Sequence, residues 1–161
     1  MNATVSRASV EECGLLRRMF YELVEPLEIY RREAREYELN LYTEQHFSEI
    51  IKGDEDAVWI ASLEDIPVGF SITERDCDLW WLSWFGVTEQ GRGHRIGHKL
   101  VANVIDVARS RNTPKVWCDT RAHNSRSISI LLEIGFEKIC VLPNHWYGED
   151  YILWQMRPSE S

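Results

Sequence analysis

The spacing of apolar positions changes repeatedly along the chain, and each change marks an element. Residues 3–8, ATVSRA, alternate in the way of a short strand. Leu15, Leu16, Met19, Phe20 and Leu23 then recur at three- and four-residue intervals, which predicts a helix from about Val10 to Val24. Pro26 interrupts it. In the next segment, LEIYRREAREYELN, Glu and Arg interleave at i, i+3 and i+4, the pattern of a solvent-facing helix. Thr43 is placed to cap a third short helix, EQHFSEII, that ends at Gly53.

Strand patterns follow. AVWIASL and VGFSITE are joined by EDIP, a hairpin turn signal, and LWWLSWFGV is a longer apolar strand. Simple alternation puts Trp80 and Trp84 on one face of that strand and Trp81 on the other, as core packing or as an aromatic wall. Ile96, Leu100, Val104 and Val107 form one helical stripe, flanked by Val101, Ile105 and Ala108. KVWCDT reads as a strand. SRSISILLEI reads as a helix, with Asn124 as N-cap and Gly135 just past its end. FEKICVL and DYILWQM close the chain as strands, separated by PNHWYGE. The pattern predicts one α/β domain over residues 1–161, with a mixed, largely antiparallel sheet of about 6–7 strands and helices on both faces. Residues 80–120 should form a right-handed parallel crossover.

Composition narrows the function classes. The net charge of −8 disfavours nucleic acid as partner, because a phosphate backbone wants a basic face, and it suits a cationic small molecule or a peptide amine. No apolar run reaches the roughly 18–20 residues of a membrane span, and the N-terminal stretch lacks a secretory pattern. Cys13, Cys77, Cys118 and Cys140 are scattered without metal-ligand spacing, which reads as reduced thiols in a cytoplasmic protein with no metal site.

Against this acidic background, residues 88–100, TEQGRGHRIGHKL, gather Arg92, His94, Arg95, His98 and Lys99 among Gly91, Gly93 and Gly97. A strand that ends in a glycine-rich turn and feeds a helix is an anion site. The first helical amides lack internal partners, and the helix dipole adds roughly half a positive charge there. The dinucleotide fingerprint fails, because Ile96 stands where its third glycine belongs. The nucleoside-triphosphate loop fails as well: Gly93 and Gly97 are one residue too close, and His98 separates Gly97 from Lys99.

Val87 to Leu100 resembles the acyl-CoA pyrophosphate turn of the GNAT superfamily of N-acetyltransferases, V-x-P-x-x-R-G-x-G-I-G-x-x-L. Asn124 to Glu137 resembles a second block of that family, N-x-x-A-x-x-x-Y-x-x-x-G-F-x. The resemblance implies a GNAT-like fold and transfer of an acetyl group from acetyl-CoA, the co-substrate, to a primary amine by direct attack in a ternary complex. The amine is a small molecule or a peptide N-terminus, and a homodimer is a family habit. It places the pyrophosphate on Arg92, Gly93, His94, Arg95, Ile96, Gly97 and His98, the pantetheine arm against Asn124 and Ser127, and the thioester along Phe85, Gly86 and Val87. WCDTRAHN resembles L-E-V-R-x-x-N of ribosomal-protein acetyltransferases, which makes Asp119 the general base. The hairpin NHWYGED offers His145 and Tyr147 as acid or orienting groups. Two positions depart from the family. Arg95 replaces a glycine and is expected to keep a right-handed conformation while adding a phosphate contact. Leu131 replaces the tyrosine that usually protonates the leaving thiolate, so a catalytically impaired acyl-CoA-binding module is the alternative.

Overall fold

The computed structural model describes residues 2–160. Its strands are β1 (Ala3–Arg7), β2 (Val58–Leu63), β3 (Ile66–Asp76), β4 (Leu79–Val87), β5 (Lys115–Arg121), β6 (Glu137–Trp146) and β7 (Glu149–Met156). Its helices are α1 (Cys13–Val24), α2 (Arg32–Leu41), α3 (Glu44–Gly53), α4 (Ile96–Ser110) and α5 (Ser125–Ile134). The strands form one seven-stranded sheet in the order β1-β2-β3-β4-β5-β7-β6, parallel only between β4 and β5 and antiparallel elsewhere. The β4–α4–β5 crossover supplies that parallel pair, as the pattern requires.

Each face of the sheet buries its own core. Leu16, Phe20 and Phe47 of α1 and α3 pack on Val58, Ile60, Phe70 and Ile72. On the opposite face Val101, Val104 and Leu131 of α4 and α5 pack on Val116, Ile152 and Trp154. Burial of this apolar surface stabilises the fold by roughly 25 cal/mol per Å2 removed from water. No described helix is long and apolar enough to cross a membrane.

Local chemistry explains where elements start. Thr43 caps α3 by accepting from the His46 amide at 3.2 Å. Asn124 caps α5 by accepting from the Ser127 amide at 3.3 Å, and Gly135 ends α5 at φ +111°. The first hairpin turn is tighter than EDIP suggests. Only Glu64 and Asp65 lie in it, both at positive φ, a pairing whose twist matches that of the flanking strands. PNHWYGE is not a loop either: β6 runs through His145 to Trp146, and the turn is Tyr147-Gly148. The charged helix begins late, at Arg32, so residues 27–31 are an irregular connection over the sheet.

The most consequential difference lies in β4. Ile72 pairs with Trp84 but Thr73 pairs with Leu82, so Ser83 is an extra residue and β4 bulges. The bulge reverses the alternation. Trp80 and Leu82 face α4 and α5, whereas Trp84 faces α1 and packs on Phe20 at 5.2 Å between ring centroids. Trp80 and Trp84 therefore lie on opposite faces, contrary to simple alternation. Gly86 is a close approach and not the bulge: a Cβ there would stand 2.8 Å from Leu23 Cδ1.

Candidate active site

Among the described residues β4 and β5 pair through Leu79–Lys115, Trp80–Val116 and Trp81–Trp117. Beyond them the strands splay, and residues 82–87 and 118–120 part around a cavity of about 820 Å3. The bulge at Ser83 begins just past the point where this pairing stops.

One end of the cleft is backbone. Gly91 and Arg92 donate to Thr88 and Glu89 and close a tight turn. Lys99 donates to the Arg95 carbonyl and opens the α4 ladder. Between them, no backbone carbonyl among the described residues accepts the amides of Gly93 through His98. Arg92, Arg95, His98 and Arg126 line the same end. Unpaired amides at a helix start, with the Arg92 and Arg126 guanidiniums also lining the cleft, form an anion cradle.

The other end is side chains. Asp119 of β5 lines the cleft, half-buried, with no hydrogen bond to its carboxylate among the described residues. Burial raises its pKa above the ordinary carboxylate value, and the nearby His145 opposes that shift. Tyr30, Trp84 and Cys118 line the same region. The Tyr30 ring lies 5.9 Å from that of Trp84, with the Arg121 guanidinium 5.2 Å from its centre. Burial, then the neighbouring Tyr151 phenol, pushes Tyr30 up, so it keeps its proton. Tyr151 is itself pushed up to about 12 by burial. Behind Trp84, Glu38 of α2 accepts from its indole nitrogen at 3.3 Å, yet burial still raises that carboxyl. Arg121 adds no free charge, because its guanidinium pairs with Glu149 at 2.9 Å.

The chain that builds this cleft matches one family model, Acetyltransferase (GNAT) family, over residues 18–136. The chain belongs to the GNAT acetyltransferase family. Its fold is that of solved GNAT structures. The ribosomal-protein-alanine N-acetyltransferase of Brucella melitensis superposes with a TM-score of 0.78 at 22% identity, over 96% of this chain and 99% of that one. The paia N-acetyltransferase of Thermoplasma acidophilum, solved with coenzyme A, gives 0.81 at 14%, over 98% and 99%. The yncA protein of Salmonella typhimurium, solved with its cofactor acetyl-CoA, gives 0.74 at 18%, over 99% and 95%. A sequence comparison with curated proteins gives no match.

The GNAT cleft gathers most residues singled out from the sequence. Phe85, Gly86, Val87, Arg92, Gly93, Arg95, Ile96, Gly97, His98, Asn124, Ser127 and Asp119 all line it. His94 does not; it is exposed on the turn. His145 and Tyr147 are also outside the lining. His145 lies on β6 with its ring 5.8 Å from Tyr151, and Tyr147 sits in the β6–β7 turn at φ +52°. Leu131 is fully buried in the core beneath α5.

Arg95 departs from expectation. It adopts the left-handed conformation, φ +56° and ψ +27°, in place of a right-handed one. Its guanidinium bonds Glu133 at 3.1 Å, within α5 rather than across the cradle. Tyr30 and Glu38 were not singled out from the sequence. Pro26 was the available signal for Tyr30: it forces the chain out of α1 just before the segment that crosses the cleft. Among the described residues no cluster of His, Cys, Asp and Glu is arranged to hold a metal ion.

Proposed function

We propose that the protein is an N-acetyltransferase that moves the acetyl group of acetyl-CoA onto a primary amine by direct attack in a ternary complex. One observation carries this reading: a single cleft holds an unpaired amide cradle at one end and an unpartnered, half-buried carboxylate, Asp119, at the other. The cradle fits a diphosphate in charge and in donor number. The amides of Gly93 to His98, with Arg92 beside them, would hold it, and the N-terminal end of α5 at Asn124 and Ser127 would border the pantetheine arm. Acetyl-CoA supplies the acetyl group in activated form, as a thioester.

The chain's own groups do the rest. An amine of pKa about 8–10 arrives mostly protonated at neutral pH, and Asp119 collects that proton directly or through a water. His145, close enough to hold the Asp119 pKa down, tunes the base. Backbone donors along Phe85–Val87, freed where β4 leaves β5, polarise the acyl oxygen, a contribution of ~3 kcal/mol where such a donor is well aimed. Tyr30, protonated throughout the working pH range, donates a hydrogen bond to the leaving thiolate and stands in for the tyrosine absent at Leu131. Tyr147, at the turn, shapes acceptor access. Asp119 and Glu38 near the acceptor end, with Arg121 neutralised by Glu149, favour a cationic acceptor, whether a small amine or a peptide N-terminus.

The buried Leu131 favours a second reading, an acyl-CoA-binding module without turnover. A thiol-release assay with acetyl-CoA across small amines and N-terminal peptides separates the two. Release with one acceptor class, lost in Asp119→Asn while acetyl-CoA still binds, supports the enzyme. Tight binding with no release on any acceptor supports the module.

A further inference from the structure

A non-glycine residue in the left-handed region, placed at the start of the helix that forms the anion cradle, has to be held there. Arg95 caps α4 at φ +56°, where a side chain costs on the order of a fivefold population factor, about 1 kcal/mol. No hydrogen bond from its own side chain caps the helix. What the side chain does is leave the turn. Arg95 Nη2 donates to Glu133 Oε2 at 3.1 Å, and His98 Nε2 meets the same oxygen at 2.6 Å. Glu133 lies near the C-terminal end of α5, so one carboxylate ties together residues 95 and 98, both within the stretch of unpaired amides. The two helices already touch closely beside it: a Cβ at Gly97 would stand 2.8 Å from Ile130 Cδ1. The tie therefore acts on a turn whose helix is seated against α5.

We infer that Glu133 is a positioning residue for acyl-CoA binding: by anchoring Arg95 from α5 it holds the left-handed cap that aims the cradle amides. It touches neither the cavity nor the reacting atoms, and it acts through Arg95. The inference rests on the functional reading above and adds a residue that the turn motif does not contain. It also explains how this chain keeps a cradle where its sequence has arginine for glycine. Glycine adopts that conformation freely and needs no tie.

The dependence on Arg95 gives the test its form. Acetyl-CoA dissociation constants are measured by calorimetry for the wild type, Glu133→Ala, Glu133→Gln, Arg95→Gly and the double variant Arg95→Gly/Glu133→Ala. KM and kcat are measured with whichever amine is accepted, and thermal melts confirm folding. Glu133→Ala should weaken acetyl-CoA about fivefold and raise its KM, with kcat unchanged. Glu133→Gln, which keeps one acceptor for the guanidinium, should weaken it less. In the Arg95→Gly background the alanine substitution should weaken binding far less than in the wild type, because the guanidinium tie is already absent and only the His98 contact is then removed. Equal weakening in both backgrounds would overturn the inference, and so would tighter binding by Glu133→Ala alone, which would make Glu133 a competitor of the phosphates. A wild type that does not bind acetyl-CoA at all would overturn the functional reading together with it.

Discussion

At the α4 end of the cleft the polar groups on offer are successive backbone amides, Gly93 to His98. At the Asp119 end they are side chains drawn from β4, β5 and the connection before α2, with Glu38 of α2 behind Trp84. The first end is local: one turn, one helix start and a strand end, contiguous in sequence. The second is assembled by the sheet, and its groups have displaced pKa values because the fold buries them. A backbone site tolerates side-chain change so long as the turn keeps its shape, whereas a side-chain site fails when one member is removed. Binding should therefore live at one end and chemistry at the other, each open to separate damage.

The largest effect should come from the base. Asp119→Asn is expected to lower kcat by ~100-fold or more, in the range of general-base contributions, with acetyl-CoA affinity unchanged. Steady-state thiol release and calorimetry together read this. Next is the turn. A Cβ at Gly91 would stand 2.7 Å from Val87 Cγ1 and 3.0 Å from the Val68 carbonyl oxygen, and that backbone oxygen cannot move cheaply. Gly91→Ala should weaken acetyl-CoA about tenfold and destabilise the fold by ~1–3 kcal/mol, as overpacking does, read by calorimetry and a denaturant titration. A smaller effect is expected from Trp84→Phe, which removes the indole donor from the buried Glu38. The acceptor KM should rise several-fold while the KM for acetyl-CoA stays fixed, since a charge-assisted hydrogen bond is worth ~1.5–3 kcal/mol and water recovers part of it.

The smallest effect concerns pH. The Asp119 carboxyl is raised in the folded state, so the fold holds that proton more tightly than the unfolded chain does. Its favourable contribution is complete below the ordinary carboxylate value of about 4 and is lost as pH rises through the raised folded value. Near neutrality the ionised group opposes folding. Asp119→Asn should melt higher than wild type at pH 7, and the gap should close below about pH 4. Turnover by the wild type should rise with pH through that same raised value as the base ionises.

Most of the fold was legible in the sequence because its elements have clean periods and unambiguous ends: Thr43, Asn124 and Gly135 cap where their chemistry says they should. The anion cradle was legible for the same reason, being a contiguous motif. What alternation could not reveal was the extra residue at Ser83. One inserted position leaves the composition of β4 unchanged yet sends Trp84 to the opposite face from Trp80. Tyr30 and Glu38 were hidden because each lies in a segment whose charge pattern reads as solvated helix, and only tertiary packing brings them to Asp119. The left-handed conformation of Arg95 has no local signal in the sequence: its guanidinium is bonded to Glu133 of α5, a helix remote in sequence.

The separation of the two ends is tested most directly by one paired measurement on Asp119→Asn and Gly91→Ala: the acetyl-CoA dissociation constant, and the rate of acetyl transfer in a single turnover at saturating acetyl-CoA. Asp119→Asn should lose the rate and keep the affinity, and Gly91→Ala should lose affinity and keep most of the rate. Both variants losing both quantities in proportion would contradict a cleft that binds at α4 and reacts at Asp119.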